Sequence, residues 1–239
     1  MNGETTLPYI AIAWASCPRW AVRESADLVE VFEQSADQTC AVLIDIQGTG
    51  ASPRRLGQAL LLEARTLLSG GVSADLAAHA LNQLLHSWRD GQVGAAILVA
   101  SIAPARCRAE IAAYGDGTIA QHGVSGWTCQ ELHGVLAGHD PGAGPDCRVL
   151  SLGDEAMIVV SSDGLARTSE GLTILLQGLP ADLRPASLVS ELLAAAISRD
   201  RGRPSADMAT VAIQIASERA EIAIERGEVR RPVKSRVGR

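Results

Sequence analysis

The sequence contains few aromatic residues and no long apolar run. Of its 239 residues 3% are Phe, Trp or Tyr while 47% are hydrophobic, so the core must consist of small and branched aliphatic side chains packed between layers. No apolar run approaches the roughly 18 residues of a membrane-spanning helix, and the N-terminus has no basic leader followed by an apolar stretch. We therefore expect no membrane span and no export signal.

The cysteines form no recognisable pairs. They number five, an odd count, and no Cys-x-x-Cys motif occurs, which argues against both a disulfide framework and a structural zinc site. Unpaired thiols of this kind are typical of a reducing compartment, so we expect a cytoplasmic protein.

The charge pattern argues against a nucleic-acid-binding role. The net charge is −6, whereas binding to a phosphate backbone requires clustered Lys and Arg. Residues 226–239 are the exception, because they contain six basic residues and a single acidic one, Glu228. Such a tail is either solvated or docks on a partner or an acidic face.

Hydrophobic periodicity predicts a protein dominated by strands with helices in consecutive pairs. Helices are predicted over 54–68, 74–88, 170–179 and 186–198. Strands are predicted over 9–15, 28–32, 40–46, 94–102, 106–114, 118–122, 148–152, 156–161, 210–215 and 220–224. Short turns predict antiparallel pairing of the second and third strands, of 106–114 with 118–122, and of 148–152 with 156–161.

These elements predict an α+β fold rather than a parallel βαβ fold. We expect a four-layer α-β-β-α sandwich of two mainly antiparallel sheets flanked by helices. No repeat or linker divides the chain, so residues 1–225 are predicted to be a single domain, followed by the basic tail at 226–239.

Four aspartates lie at or near the ends of apolar strands. A carboxylate in this position is costly unless it is solvated, paired or bound to a cation, and oxygen donors of this type suit Mg²⁺ and Mn²⁺. The alternatives are a turn-forming role for Asp45 and a local cap formed by Ser205 or Asp207. The four are Asp27, Asp45, Asp163 and Asp207.

The segments around these aspartates resemble motifs of the metal-dependent PPM (PP2C-like) serine/threonine phosphatases, in particular the bacterial SpoIIE- and RsbX-like branch. Asp45-Ile46-Gln47-Gly48-Thr49-Gly50 is similar to the Asp-x-x-Gly-x-Gly loop of that branch, and Ser162-Asp163-Gly164-Leu165 is similar to its Ser-Asp-Gly-Leu segment. Asp207-Met208-Ala209-Thr210-Val211 is similar to Asp-Asp-Ala-Thr-Val, and Ser25-Ala26-Asp27 to Ser-Gly-Asp. The order of the motifs agrees over nearly the whole chain.

The resemblance implies a hydrolase that removes phosphate from phosphoserine or phosphothreonine with a water activated by two Mn²⁺ or Mg²⁺ ions. It implies that Asp45, bridging both ions, and Asp163 are catalytic. The metal ligands would be Asp27, Asp45, the Ile46 carbonyl, Asp163 and Asp207. The implied substrate is a phosphorylated protein of a sigma-factor or stress-signalling circuit, for example a STAS-domain antagonist.

Three positions depart from the family pattern, the first being Ile46 where many members have Gly, although a carbonyl ligand does not depend on the side chain. Met208 stands where the branch has Asp or Asn, and Gln47 stands where animal enzymes carry a His proposed as general acid, although an amide cannot supply a proton. Two alternatives to a protein phosphatase therefore stay open: a catalytically weak module that binds phosphoproteins, and a hydrolase of small phosphoesters. His133 and His139 are interpreted as solvated loop residues, and Arg54 either attracts a phosphate or is a solvated helix start.

Overall fold

The computed structural model describes residues 9–35, 37–123, 125–153, 156–180, 182–216 and 225–226. The strands are β1 (Tyr9–Cys17), β2 (Asp27–Ser35), β3 (Gln38–Ile46), β4 (Ala95–Ala103), β5 (Arg108–Tyr114), β6 (Gly117–Gly123), β7 (Gly126–Leu132), β8 (Asp146–Ser151), β9 (Met157–Ser162), β10 (Met208–Ala216) and β11 (Glu225–Arg226). The helices are α1 (Ala51–Ser69), α2 (Ala74–Arg89), α3 (Ser169–Gln177) and α4 (Pro185–Arg199), and Pro104–Arg106 forms a 3₁₀ turn.

The strands form two sheets. The first has the order β11-β1-β10-β9-β6-β7 and the second has the order β2-β3-β4-β5-β8. All pairings are antiparallel except that of β11 with β1. The predicted antiparallel pairing of β2 with β3 is confirmed.

Three apolar layers hold the four structural layers together. One lies between the sheets, and the other two lie under the helix pairs, with α1 and α2 on the second sheet and α3 and α4 on the first. Strand β3 shows how the sequence specifies this arrangement: Ala41 and Leu43 face the other sheet, while Val42, Ile44 and Ile46 face the helices. Because alternate residues point to opposite faces, both faces of this strand must be apolar. The predicted four-layer sandwich is confirmed.

Two predicted hairpins are wrong. Strand β5 pairs with β8 in the second sheet, while β6 pairs with β7 and β9 in the first. The turn at Gly115, with φ of 73°, therefore carries the chain from one sheet to the other. The predicted hairpin of 148–152 with 156–161 fails in the same way, since β8 and β9 belong to different sheets. A short turn reverses the chain, but the buried face of each strand decides which sheet it joins.

Strand β7 was not predicted. It is an edge strand paired with β6, and several of its residues are partly or fully exposed. Polar residues are tolerated on an edge, so its sequence Gly-Trp-Thr-Cys-Gln-Glu-Leu has no clear period. The predicted strand 220–224 and most of the basic tail lie outside the described residues. None of the helices in the described part of the chain combines the length and apolar character needed to cross a bilayer.

Candidate active site

Asp27 and Asp45 are direct partners across two neighbouring strands. Asp27 begins β2, Asp45 lies one residue before the end of β3, and the two are paired in register. Facing side chains on antiparallel strands have Cβ atoms about 4.5–5.5 Å apart, a distance at which two like charges destabilise the sheet. Asp27 is 1% exposed and Asp45 is partly buried, so solvent screens this repulsion only in part.

Asp163 and Asp207 meet at the matching end of the other sheet. Asp163 follows β9, Asp207 precedes β10, and these strands are antiparallel neighbours. Gly164 brings the two segments into backbone contact, because a Cβ at this position would lie 1.7 Å from the Asp207 carbonyl oxygen. The motif glycine therefore allows a close approach that any other residue prevents.

Ser162 joins the two pairs of aspartates. Its hydroxyl donates to Asp27 Oδ2 at 2.8 Å and accepts from the Ala209 amide at 2.9 Å. The serine thus fixes an acidic side chain of one sheet to the end of the other. Sequence reasoning assigned no role to Ser162, although its position directly before Asp163 at a strand end was a usable signal.

Asp207 binds backbone amides that are remote in the chain. Its Oδ1 accepts from the Arg19 amide at 2.7 Å and its Oδ2 from the Ala26 amide at 2.6 Å. The alternative of a local cap formed by Asp207 is thus wrong, because the amides it accepts from belong to residues 19 and 26 rather than to its own segment. This contact positions the residues that lead into Asp27.

Burial and mutual repulsion perturb the acidic groups. Burial and the charge of Asp45 raise the pKa of Asp27 well above its usual value, against the opposing effect of the Ser162 hydrogen bond. Burial raises the pKa of Asp45 to about 6; a hydrogen bond with Asp27 acts against this increase, and the charges of Asp163 and Asp207 add to it. The structure therefore places Asp45 within electrostatic reach of the other three predicted aspartates, and Asp27 within reach of Asp207 as well.

One atom of this group lacks a partner. Asp27 Oδ1 is buried and has no hydrogen-bond donor among the described residues, and a buried oxygen of this kind costs about 1–3 kcal/mol or more. A proton on the carboxyl group or an adjacent cation would compensate this cost.

The oxygen-only donor set fits a hard divalent ion. The fit lies in donor type alone. Across the described residues, no three Asp, Glu, His or Cys side chains lie in an arrangement that could hold a metal ion. The Ile46 side chain faces the helix-side core, so only its backbone could contribute. The roles of Asp27, Asp45, Ile46, Asp163 and Asp207 as metal ligands stay predictions.

Two of the three positions that depart from the family pattern have structural roles. Met208 is 0% exposed, packs in the core under α3 and α4, and pairs with Cys17 of β1. The side-chain oxygen Oε1 of Gln47 accepts from the Gly94 backbone amide at 2.9 Å. The backbone amide of Gln47 donates to the Gly94 carbonyl oxygen, also at 2.9 Å. Both residues therefore stabilise the elements that present Asp207 and Asp45.

Neighbouring candidate residues are engaged elsewhere. His139 Nδ1 lies 3.0 Å from the Gly91 carbonyl oxygen, and His133 lies beside Asp116 and Glu131.

Neither of the two sequence interpretations of Arg54 describes its contacts. Its Nη1 donates to the Ser25 carbonyl at 2.7 Å and its Nε lies 3.3 Å from Glu24, so Arg54 ties the start of α1 to the segment before Asp27.

Removing the Ser162 hydroxyl should weaken cation binding without unfolding the protein. Ser162→Ala leaves Asp27 Oδ2 without its donor, and loss of such an orienting contact costs about 10- to 100-fold in metal affinity. Isothermal titration with Mn²⁺ measures the change. Ser190→Ala, which removes an exposed hydroxyl that bonds only to its own helix, serves as the control and should leave affinity unchanged.

The metal-free protein should lose stability as pH rises from about 4 to about 6. The folded pKa of Asp45 is about 6, above its usual value of 3.8, so the folded state holds more protons than the unfolded state in this window. The stabilisation is complete below the unfolded pKa and is lost as pH rises through the folded pKa. A change of about 1–3 kcal/mol in the free energy of unfolding is expected, measured by urea denaturation with a chelator present.

Saturating Mn²⁺ should reduce this dependence on pH, because metal binding displaces protons from its carboxylate ligands. Stability that is flat from pH 4 to pH 6 without metal would contradict the described electrostatics.

Comparison with known proteins identifies the family. The two-sheet sandwich with paired outer helices is the PP2C-like α+β fold. The sequence model of the family described as Stage II sporulation protein E (SpoIIE) matches residues 35–216, and the chain belongs to this family. No curated protein matches the chain.

Three solved structures share the fold at low sequence identity. The PP2C phosphatase domain of SpoIIE from Bacillus subtilis, with a fragment of its regulatory domain, has a TM-score of 0.77 at 15% identity; the match covers 89% of this chain and 65% of that one. RsbX in complex with magnesium has a TM-score of 0.68 at 12% identity, over 89% and 98% of the two chains. The serine/threonine phosphatase of S. agalactiae has a TM-score of 0.71 at 14% identity, over 86% and 99%.

Proposed function

We propose that this protein is a metal-dependent phosphatase that hydrolyses phosphoserine or phosphothreonine on a protein substrate. The observation that carries the proposal is the convergence of Asp27 and Asp45 from one sheet with Asp163 and Asp207 from the other. Family membership and the magnesium-bound RsbX relative support it.

The acidic edge, by which we mean Asp27, Asp45, Asp163 and Asp207, would hold two divalent ions, Mn²⁺ or Mg²⁺. Asp45 and Asp163 are the proposed catalytic residues, and Asp27, Asp207 and the Ile46 carbonyl complete the proposed ligand set. When bound, a pair of such ions supplies an activated water for attack on phosphorus. Ser162 orients Asp27, Asp207 fixes the segment that leads into it, and Gln47 holds the loop after β3. The chain thus positions its acidic groups before any substrate arrives.

The cellular setting is proposed on two grounds. The free cysteines favour a reducing compartment, so we place the protein in the cytoplasm, and the family resemblance favours a phosphorylated regulator such as a STAS-domain protein as its substrate. Residues 1–225 form the proposed catalytic domain. The role proposed for residues 226–239 is that of a basic tail outside it.

A second candidate function is a phosphoprotein-binding module with weak or no catalysis. It is favoured by the two amide hydrogen bonds to Asp207, which use one acceptor site on each oxygen of a carboxylate that the enzyme would use as a ligand.

The test compares turnover with binding. The enzyme hypothesis predicts hydrolysis of p-nitrophenyl phosphate and of a phosphoserine peptide that requires Mn²⁺ or Mg²⁺ and stops on chelation. Phosphopeptide binding without release of phosphate would favour the module. Strong preference for a small metabolite over every phosphopeptide would favour a hydrolase of small phosphoesters.

A further inference from the structure

A cavity of about 330 Å³ opens beside the acidic edge. It lies between the turn from β9 to α3 and the loop from α4 to β10, and Asp163 is part of its wall. The remaining wall is mixed: glycines and alanines alternate with the hydroxyl-bearing residues Thr168 and Ser205 and two arginines, Arg167 and Arg199. A space of this size accommodates one or two amino-acid side chains.

The two arginines differ in what they already bind. Arg199 Nη1 donates to the Leu165 carbonyl at 2.7 Å and its Nε donates to Asp200 at 2.9 Å, so Arg199 clamps α4 to the turn after β9. Arg167 is exposed and makes no hydrogen bond or ion pair with any other described residue. Its guanidinium is therefore available to a ligand, and this group binds carboxylates and phosphates, often through two parallel hydrogen bonds.

The position of Arg167 relative to Asp163 defines what can bind. Asp163 and Arg167 are four residues apart in the segment between β9 and α3 and line the same cavity. Asp163 belongs to the proposed reaction centre, so a substrate seated there brings its neighbouring residues past Arg167. An extended peptide advances about 3.3–3.6 Å per residue, so the group that meets Arg167 belongs to a residue close in sequence to the phosphoserine.

We propose that Arg167 is a specificity residue that binds the carboxylate of an Asp or Glu close to the phosphorylated residue of the substrate. This inference rests on the proposed phosphatase function and names its substrate class: phosphoproteins with an acidic residue beside the phosphorylation site. Thr168 and Ser205 provide further hydrogen-bonding groups on the cavity wall.

The experiment uses three phosphoserine peptides: one flanked by alanine, one with Glu residues before the phosphoserine and one with Glu residues after it. The wild-type protein with Mn²⁺ should show about tenfold higher kcat/KM for one acidic peptide than for the alanine peptide, the size of a single charge-assisted contact. Arg167→Glu should abolish or reverse this ratio, and Arg167→Lys should retain part of it.

The control is Arg106→Glu. Arg106 is also exposed, but it lies far from the acidic residues. Asp45 pairs with the start of β4, whereas Arg106 follows the end of that strand. This variant should retain the wild-type ratio. A ratio that is the same in the wild type, Arg167→Glu and Arg106→Glu would overturn the proposal.

Failure of the inference is distinguishable from failure of the proposed function. If p-nitrophenyl phosphate and all peptides resist hydrolysis, the phosphatase proposal fails, and fluorescence anisotropy with the same peptides and Mn²⁺ then measures affinity directly. A preference for an acidic peptide that is lost in Arg167→Glu supports the proposed binding of an acidic substrate residue by Arg167. Equal affinities for the three peptides, or a preference that survives in Arg167→Glu, overturn it.

Discussion

Replacing Asp45 by asparagine is expected to lower metal-dependent hydrolysis of p-nitrophenyl phosphate by about 10²- to 10³-fold or more, the range typical of losing a charged group at a reaction centre. Asp45 lies opposite Asp27 and within electrostatic reach of Asp163 and Asp207, so its loss removes the charge at the centre of the acidic edge. Steady-state kinetics over a range of Mn²⁺ concentrations separates weaker metal binding from slower chemistry.

The same variant should be more stable than the wild type when metal is absent. Burial, with a smaller contribution from repulsion by Asp163 and Asp207, raises the pKa of Asp45 to about 6. A neutral amide avoids both costs, so the free energy of unfolding at pH 7 should increase by about 1–2 kcal/mol. An increase in the stability of the variant together with a loss of its activity would indicate that the Asp45 carboxylate serves function rather than folding.

Asp182→Asn is the matched control, because Asp182 is exposed in the loop between α3 and α4. It should change neither quantity. An Asp45→Asn variant that retains full activity, or that is less stable than the wild type without metal, would contradict the role assigned to this residue.

Replacing Gly164 by alanine is expected to damage both stability and activity. The added Cβ would lie 1.7 Å from the Asp207 carbonyl oxygen and 2.9 Å from its carbonyl carbon. Backbone atoms cannot rotate away as a side chain can, so β9 and the loop before β10 must separate. We expect a loss of about 2–4 kcal/mol, at or beyond the usual range for overpacking, measured by urea denaturation.

Activity should fall further than stability alone explains, because the displaced segments carry Asp163 and Asp207. Gly144→Ala is the control: nothing lies within 4 Å of its Cβ position, so it should be nearly neutral. If Gly164→Ala has the stability of the wild type, the close contact between these segments is not a feature of the folded protein.

The fold class was predictable because its signals are local. Apolar runs bounded by turns predicted most of the strands, and helical periodicity predicted all four helices to within about three residues at each end. Strand β3 is the clearest example, since an apolar sequence on both faces requires a strand covered on both sides. Sheet membership was not predictable in the same way. The Gly115 turn predicts a hairpin, but its two strands bury their faces in different sheets.

The acidic residues could be singled out from the sequence, since a carboxylate at the end of an apolar strand is unusual in itself, and their role as a site stays a prediction. Their supporting contacts could not be predicted. Ser162 binds Asp27 across 135 positions of sequence, and Asp207 binds the Arg19 amide across 188. Contacts of this kind depend on how two sheets dock, which no local pattern specifies.

The division of the acidic edge between two sheets has a consequence for folding. Asp27 and Asp45 belong to one sheet, while Asp163 and Asp207 flank strands of the other. Any cation held by all four residues would link the two sheets, and it would bind only after both sheets have assembled. Loading with Mn²⁺ should therefore slow amide hydrogen exchange throughout both sheets, including strands far from the carboxylates, because the protein must release the ion before its layers can separate.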